Sequence, residues 1–154
     1  MAQKIDFART ATSVAKDLVG RMLVRKTPTG ITAGKILQTG AYEGGRETNS
    51  RLGMNYSPGT IFLMPFRGFR LLNIATDKER FPSCVEIREV AYHDKRIKGS
   101  GAISNYLDIH QELDGLPLHE NWLYILGESV NKNKIICEES SAENCLGYFS
   151  LGGK

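Results

Sequence analysis

Lys35-Ile36-Leu37-Gln38-Thr39-Gly40-Ala41-Tyr42 is the stretch on which the reading of this chain turns. Ile31 to Thr39, which leads into it, is rich in β-formers and follows the turn signal Pro28-Thr29-Gly30. It reads as the return strand of a hairpin whose outgoing strand is Arg21 to Lys26. A helix is expected before that hairpin: Thr12 or Thr10 can cap it, Val14, Leu18 and Val19 give it an apolar stripe, and Gly20 can end it. Beyond Tyr42, the Gly-rich and polar segment from Glu43 to Ser57 reads as loop.

Pro58-Gly59 restarts regular structure. Thr60 to Met64 and Phe69 to Ala75 are two β-rich runs joined by Pro65-Phe66-Arg67-Gly68, so a second hairpin is expected with an aromatic and an arginine at its tip. Cys84-Val85-Glu86-Ile87-Arg88-Glu89-Val90 alternates apolar and polar residues, which predicts a strand with one buried face and with Glu86 and Arg88 together on the other. After the basic segment Asp94 to Lys98, Gly99-Ser100-Gly101 opens a short helix reaching Leu107. Its first N–H groups, at Ser100 and Gly101, are candidates to meet a phosphate. Leu116 to Leu118 and Trp122 to Leu126 supply late core, and Lys134 to Cys137 and Gly147 to Leu151 read as closing strands.

With 154 residues, 41% of them hydrophobic and 24% charged, the chain suits one compact domain over 1–154. No repeat or linker divides it. No apolar run approaches the roughly 20 residues that span a bilayer, and the first residues show no apolar signal core, so a cytoplasmic protein is expected. Three cysteines without a CxxC pair, and three scattered histidines, His93, His110 and His119, predict neither a disulfide framework nor a metal, and no cofactor is expected. Charge is uneven: residues 1–106 carry 17 Lys/Arg against 9 Asp/Glu, whereas residues 107–154 carry 3 against 8. That asymmetry suits a basic face turned to a polyanion, with Arg46, Arg51, Arg67, Arg70 and Lys78 as candidates.

Several segments, in order, resemble the alkyladenine (3-methyladenine) DNA glycosylase family. Asp17 to Arg25 is similar to its A-R-x-L-L-G-K-x-L-V-R opening, and Gly34 to Tyr42 to G-x-I-V-E-T-E-A-Y. Pro58 to Asn73 is similar to P-G-x-x-Y-V-Y-x-x-Y-G-M-x-x-C-x-N, Cys84 to Glu89 to A-V-L-I-R-A, and Gly99 to Ile109 to G-P-G-K-L-x-x-A-L-G-I. Leu113 to Leu116 and Gly147 to Phe149 resemble its N-G-x-D-L and W-R-F-Y segments. The resemblance implies a mixed α/β domain: a curved antiparallel sheet, surrounding helices and a protruding hairpin that enters DNA.

It also implies a partner, double-stranded DNA that carries damage, and a reaction, hydrolysis of the bond between an altered purine and its sugar after the nucleotide is flipped out. A carboxylate beside the sugar deprotonates the attacking water and stabilises developing positive charge. At the two acidic positions of E-T-E-A-Y this chain has Gln38 and Gly40, and glycine can do neither task. Carried over by position, Tyr42 would stack on the base, Arg88 would lie by the backbone near the water, and Asn73 would help exclude wrong exocyclic groups. Asn49 falls where a histidine is expected, Leu63 or Met64 where a second tyrosine is expected, and Phe66 or Arg67 at the inserted tip. Glu43 and Glu47 are the nearby acids in sequence, though only residues two apart share the face of Gly40 on an extended strand. The expectation is a monomeric protein that flips bases and binds damaged or distorted DNA, with excision weak or lost. The alternative is an active glycosylase limited to labile cationic alkylpurines or using a relocated carboxylate. Recruitment to RNA or to a protein partner is a third reading.

Overall fold

The computed structural model describes residues 4–43, 56–78, 83–142 and 145–152. Asn49, Glu47, Arg46 and Arg51 lie outside them. The fold is a curled antiparallel sheet with two helices, a mixed α/β arrangement. In chain order the elements are α1 (Ala11–Leu18), β1 (Met22–Thr27), β2 (Gly30–Tyr42), β3 (Ile61–Phe66), β4 (Phe69–Thr76), β5 (Ser83–Tyr92), β6 (Lys95–Lys98), α2 (Ser100–Tyr106), β7 (Leu123–Leu126), β8 (Ile135–Glu138) and β9 (Cys145–Leu151).

α1 begins where the Thr10 hydroxyl accepts the Ser13 N–H, leaving Val14, Ala15 and Leu18 buried against the sheet. Gly20 ends it at φ 90°, and a side chain there would strike Val130. Arg21 then turns back on the helix: its Nη2 meets Asp17 Oδ1 at 2.7 Å, and Arg9 meets the other Asp17 oxygen at 2.7 Å. Burial pushes the Asp17 carboxyl up, but its hydrogen bonds and charge pairing with Arg21 and Arg9 outweigh that and hold it below its ordinary value. A carboxyl lowered on folding contributes stability that is complete above its unfolded value, about 3.9, and is lost as pH falls through its folded value. Asp17→Asn is therefore expected to cost about 1–3 kcal/mol at pH 7 and to flatten the acid limb below about pH 4 in denaturant titrations.

The sheet runs β3-β4-β5-β2-β1-β7, with β6 on β5, β9 beside the second half of β2, and β8 on β9. β2 is the spine: residues 30–35 pair with β1, 38–42 with β9, and 35–42 with β5 on its other side. A bulge at Leu37 and Gln38 shifts the register just before Gly40. One face carries Leu23, Ile36, Ala41, Ile61, Leu63, Leu72, Ile74, Val85, Ile87 and Phe149 into the main core. Thr39 on that face donates to the Ala15 carbonyl of α1 at 2.8 Å.

The second hairpin is tighter than the sequence suggests. Pro65 and Phe66 belong to β3, and the turn is Arg67-Gly68 alone, at φ 49° and 84°. Pro65 is tolerated because β3 is an edge strand, where a missing N–H breaks no ladder. The basic segment is also a strand: β6 returns along β5 after a turn at His93 and Asp94, with His93 at φ 56°.

Candidate functional site

Strand register builds a row on the sheet face opposite the main core. Phe62 pairs with Asn73, Asn73 with Glu86, Glu86 with Gly40, Gly40 with Tyr148, and Tyr148 with Glu138, so these residues stand abreast across six strands. Two residues along, Tyr42 pairs with Cys84 and forms a small apolar cluster with Cys84 and Ala75, flanked by Tyr56, Phe62 and Cys145. In the other direction alternation brings Arg88 and Gln38 onto the same face.

These side chains are tied together. Glu86, 6% exposed, is the buried carboxylate among the described residues. Its Oε1 accepts from the Tyr42 hydroxyl at 3.1 Å and from Arg88 Nη1 at 3.1 Å, and its Oε2 accepts from the Ser100 hydroxyl at 2.6 Å. Arg88 Nε donates to Gln38 Oε1 at 3.1 Å, and Gln38 Nε2 donates to Ser150 at 2.9 Å. The Arg88 guanidinium carbon also lies over the Tyr148 ring, 3.9 Å from its centroid. Burial works against the Arg88 charge, but Glu86 above all, with Tyr148 and Tyr42, holds the guanidinium above its ordinary value. It is a permanent cation.

Gly40 lies under that stack. A β-carbon there would sit 3.1 Å from Arg88 Cδ and 3.2–3.3 Å from two Tyr148 ring carbons. The volume a side chain at position 40 would enter is thus filled from above by Arg88 and from β9 by Tyr148. Gly40 has an extended backbone, so the glycine answers to packing and not to an unusual φ.

Other expected residues fall in different places. Leu63 is 1% exposed in the main core, on the far face from Gly40, which removes it as a pocket residue; Met64, one position on, shares the face of Gly40 by register. Asn73 is on the right face but wholly buried, its Nδ2 donating to the Leu71 carbonyl and its Oδ1 accepting from Cys84 at 3.4 Å. Glu43 follows Tyr42 just past the end of β2. Ser100 and Gly101 are buried: the Ser100 hydroxyl goes to Glu86, and Phe69 lies where a Gly101 side chain would be, 2.7 Å from its β-carbon position. Glu86 is thus bonded to the side chain of the first residue of α2.

At the hairpin tip, Phe66 and Phe69 are about half exposed, at 50% and 48%, and both lie on the Gly40 face by register. Arg67 lies over the Phe66 ring at 5.2 Å. Arg70 falls on the opposite face, its Nε donating to Gln111 at 2.7 Å. Tyr148 is the site residue that sequence reading missed, since nothing local marks a residue over a hundred positions from Gly40 as its neighbour. Among the described residues no group of three His, Cys, Asp or Glu is placed to hold a metal, and no helix is long and apolar enough to cross a membrane. A cavity of about 900 Å³ lies beside Phe7, Pro58, Pro117, His119 and Tyr124, and one of about 490 Å³ gathers Lys35, Lys95, Arg96 and Lys134; neither is lined by Gly40, Tyr42 or Glu86.

The sheet face opposite the main core thus joins a buried acid, a tyrosine and an arginine, and sequence comparison supplies the family. A family model described as Methylpurine-DNA glycosylase (MPG) matches residues 5–140, and the chain belongs to that family. Among curated relatives named "Putative 3-methyladenine DNA glycosylase", that of Lactiplantibacillus plantarum is 32% identical over 91 residues, covering 53% of this chain and 44% of its own length. That of Ehrlichia ruminantium is 26% identical over 151 residues, 88% of this chain and 78% of its own. That of Anaeromyxobacter sp. is 31% identical over 123 residues, 70% and 62%. The match therefore spans less than half the length of some relatives and most of others.

Proposed function

We propose that this protein binds damaged or distorted duplex DNA by the base-flipping route of its family, with excision of alkylated purines weak or lost. The observation that carries this reading is the bare position 40, with Arg88 and Tyr148 packed 3.1–3.3 Å from where its β-carbon would stand. The family position for the catalytic carboxylate holds no side chain, and Arg88 and Tyr148 stack on each other beside it. Losing a general base removes on the order of 10²–10⁴ in rate, and more where the same group stabilises positive charge. Binding draws on other features: the aromatic tip of Phe66 and Phe69 beside Arg67, Tyr42 on the same face, and the basic residues around Lys35 and Arg96. Phe66 is the wedge, since its ring is exposed and on the site face.

A second reading is an active enzyme restricted to cationic alkylpurines, whose leaving groups are already activated. Glu86 favours it as a carboxylate next to Gly40, but both of its oxygens are already engaged by three donors.

Binding is tested with a duplex containing a tetrahydrofuran abasic analogue and with the same duplex intact, across a salt series. The logarithm of affinity is expected to fall steeply with the logarithm of salt for both; a flat line would remove DNA as the partner. On a duplex carrying an alkylated purine, Tyr42→Ala is expected to lower affinity about tenfold while leaving the intact duplex nearly unchanged, as stacking is worth roughly 1–3 kcal/mol per base. Equal losses on both would take Tyr42 out of the site.

A further inference from the structure

We propose that the carboxylate of this site comes from β5 and not β2: Glu86 takes the place that position 40 leaves bare, as the residue that positions Tyr42 and Arg88 for a flipped nucleotide. The inference rests on the DNA-binding reading above and deepens it. Gly40 and Glu86 are directly paired across the β2–β5 ladder, so their side-chain positions share one face and are nearest neighbours on it. Only one carboxylate fits. Two acids on directly opposed residues would repel, and position 40 is already closed by Arg88 and Tyr148.

From β5, Glu86 reaches both groups that would contact DNA. One oxygen receives the Tyr42 hydroxyl and Arg88 Nη1 together, which fixes the ring and the guanidinium relative to each other, and the other is held by Ser100 at the start of α2. The Ser100 bond matters because β4 and β5 cease to pair at Asn73 and Glu86, and the α2 entry fills the gap, with the Gly99 N–H donating to the Arg88 carbonyl at 2.7 Å. Glu86 therefore joins the sheet, the helix and the two candidate DNA-contacting side chains through a single buried group. Both carboxylate oxygens are used, so its role is to hold, and it need not touch the base.

The test is a double-variant cycle of Gly40→Glu and Glu86→Leu, read in two ways. In thermal melts each single variant is expected to lose at least about 5 °C, because one places two acids side by side and the other leaves Arg88, Tyr42 and Ser100 without their acceptor. The double variant is expected to lose clearly less than the sum of the two single losses, since Arg88, freed from Glu86, can turn to a carboxylate at position 40 while leucine fills the vacated place. Additive losses would overturn the exchange. In binding, Glu86→Leu is expected to reduce the preference for the abasic-analogue duplex over the intact one about tenfold, and the double variant to regain most of it. A folded Glu86→Leu protein that keeps the full preference would also overturn the exchange. If wild type shows no such preference while the melting temperatures compensate, the carboxylate exchange stands and the DNA-damage reading falls.

Discussion

Arg88→Ala is expected to be the most damaging single change in the site, lowering folding stability by about 3 kcal/mol, the low end of the loss for breaking a buried ion pair. Glu86 is 7% exposed at its side chain and would be left with only Tyr42 and Ser100 as donors. Arg88 itself is 31% exposed, which argues for the low end. The loss has three sources: the Glu86 pair, the bond to Gln38, and the stacked contact on Tyr148. Arg88→Lys should recover little of it, because an ammonium lacks the planar fork that bonds Gln38 and Glu86 while lying on a ring. Urea denaturation reads this as a fall in midpoint with an unchanged slope. A loss below about 1 kcal/mol would place the pair among ordinary surface ion pairs.

Gly40→Glu, the change that would restore the family's acid, is expected to harm the fold without returning the reaction. Its β-carbon alone requires Arg88 and the Tyr148 ring to retreat by a few tenths of an ångström, and the rest of the side chain has to displace them. Forcing extra methylenes into packed space costs about 1–3 kcal/mol, and repulsion from Glu86 directly opposite adds to that. Release of alkylated base is expected to stay within about tenfold of wild type, far short of the 10²–10⁴ a working general base supplies. If Gly40→Glu kept wild-type stability and released base at a hundredfold higher rate, the site would be a catalytic one lacking a single residue, and its closure by Arg88 and Tyr148 would carry no meaning.

Local signals in the chain foretold much of this architecture. The Thr10 cap, the Gly20 stop, both early hairpins and the alternation that puts Glu86 and Arg88 on one face depend on neighbours within a few residues, and they are legible for that reason. What escaped depends on pairing at a distance. β6 buries only Ile97 in part, so its four residues carry no apolar alternation, and its turn uses His93 at a positive φ where glycine or asparagine would have announced it. The choice between Leu63 and Met64 needed the register with Asn73, which a hairpin of unknown turn length leaves open. The bond from the Ser100 hydroxyl to Glu86, fourteen residues earlier on a strand, has no local signature. Tyr148 reaches Gly40 through β9, the last strand to form the sheet in chain order. The missing acid is visible in the sequence; that its place has been filled is visible only in three dimensions.

The most direct measurement is single-turnover incubation of the wild-type protein with duplex DNA carrying 3-methyladenine or 7-methylguanine, with abasic sites counted by alkaline strand cleavage. The predicted result is strand cleavage no greater than spontaneous depurination of the same duplex without protein, at protein concentrations that saturate binding to the abasic analogue. Release well above that background, continuing through several turnovers when substrate is in excess, would contradict the account and would make Glu86 the first residue to replace.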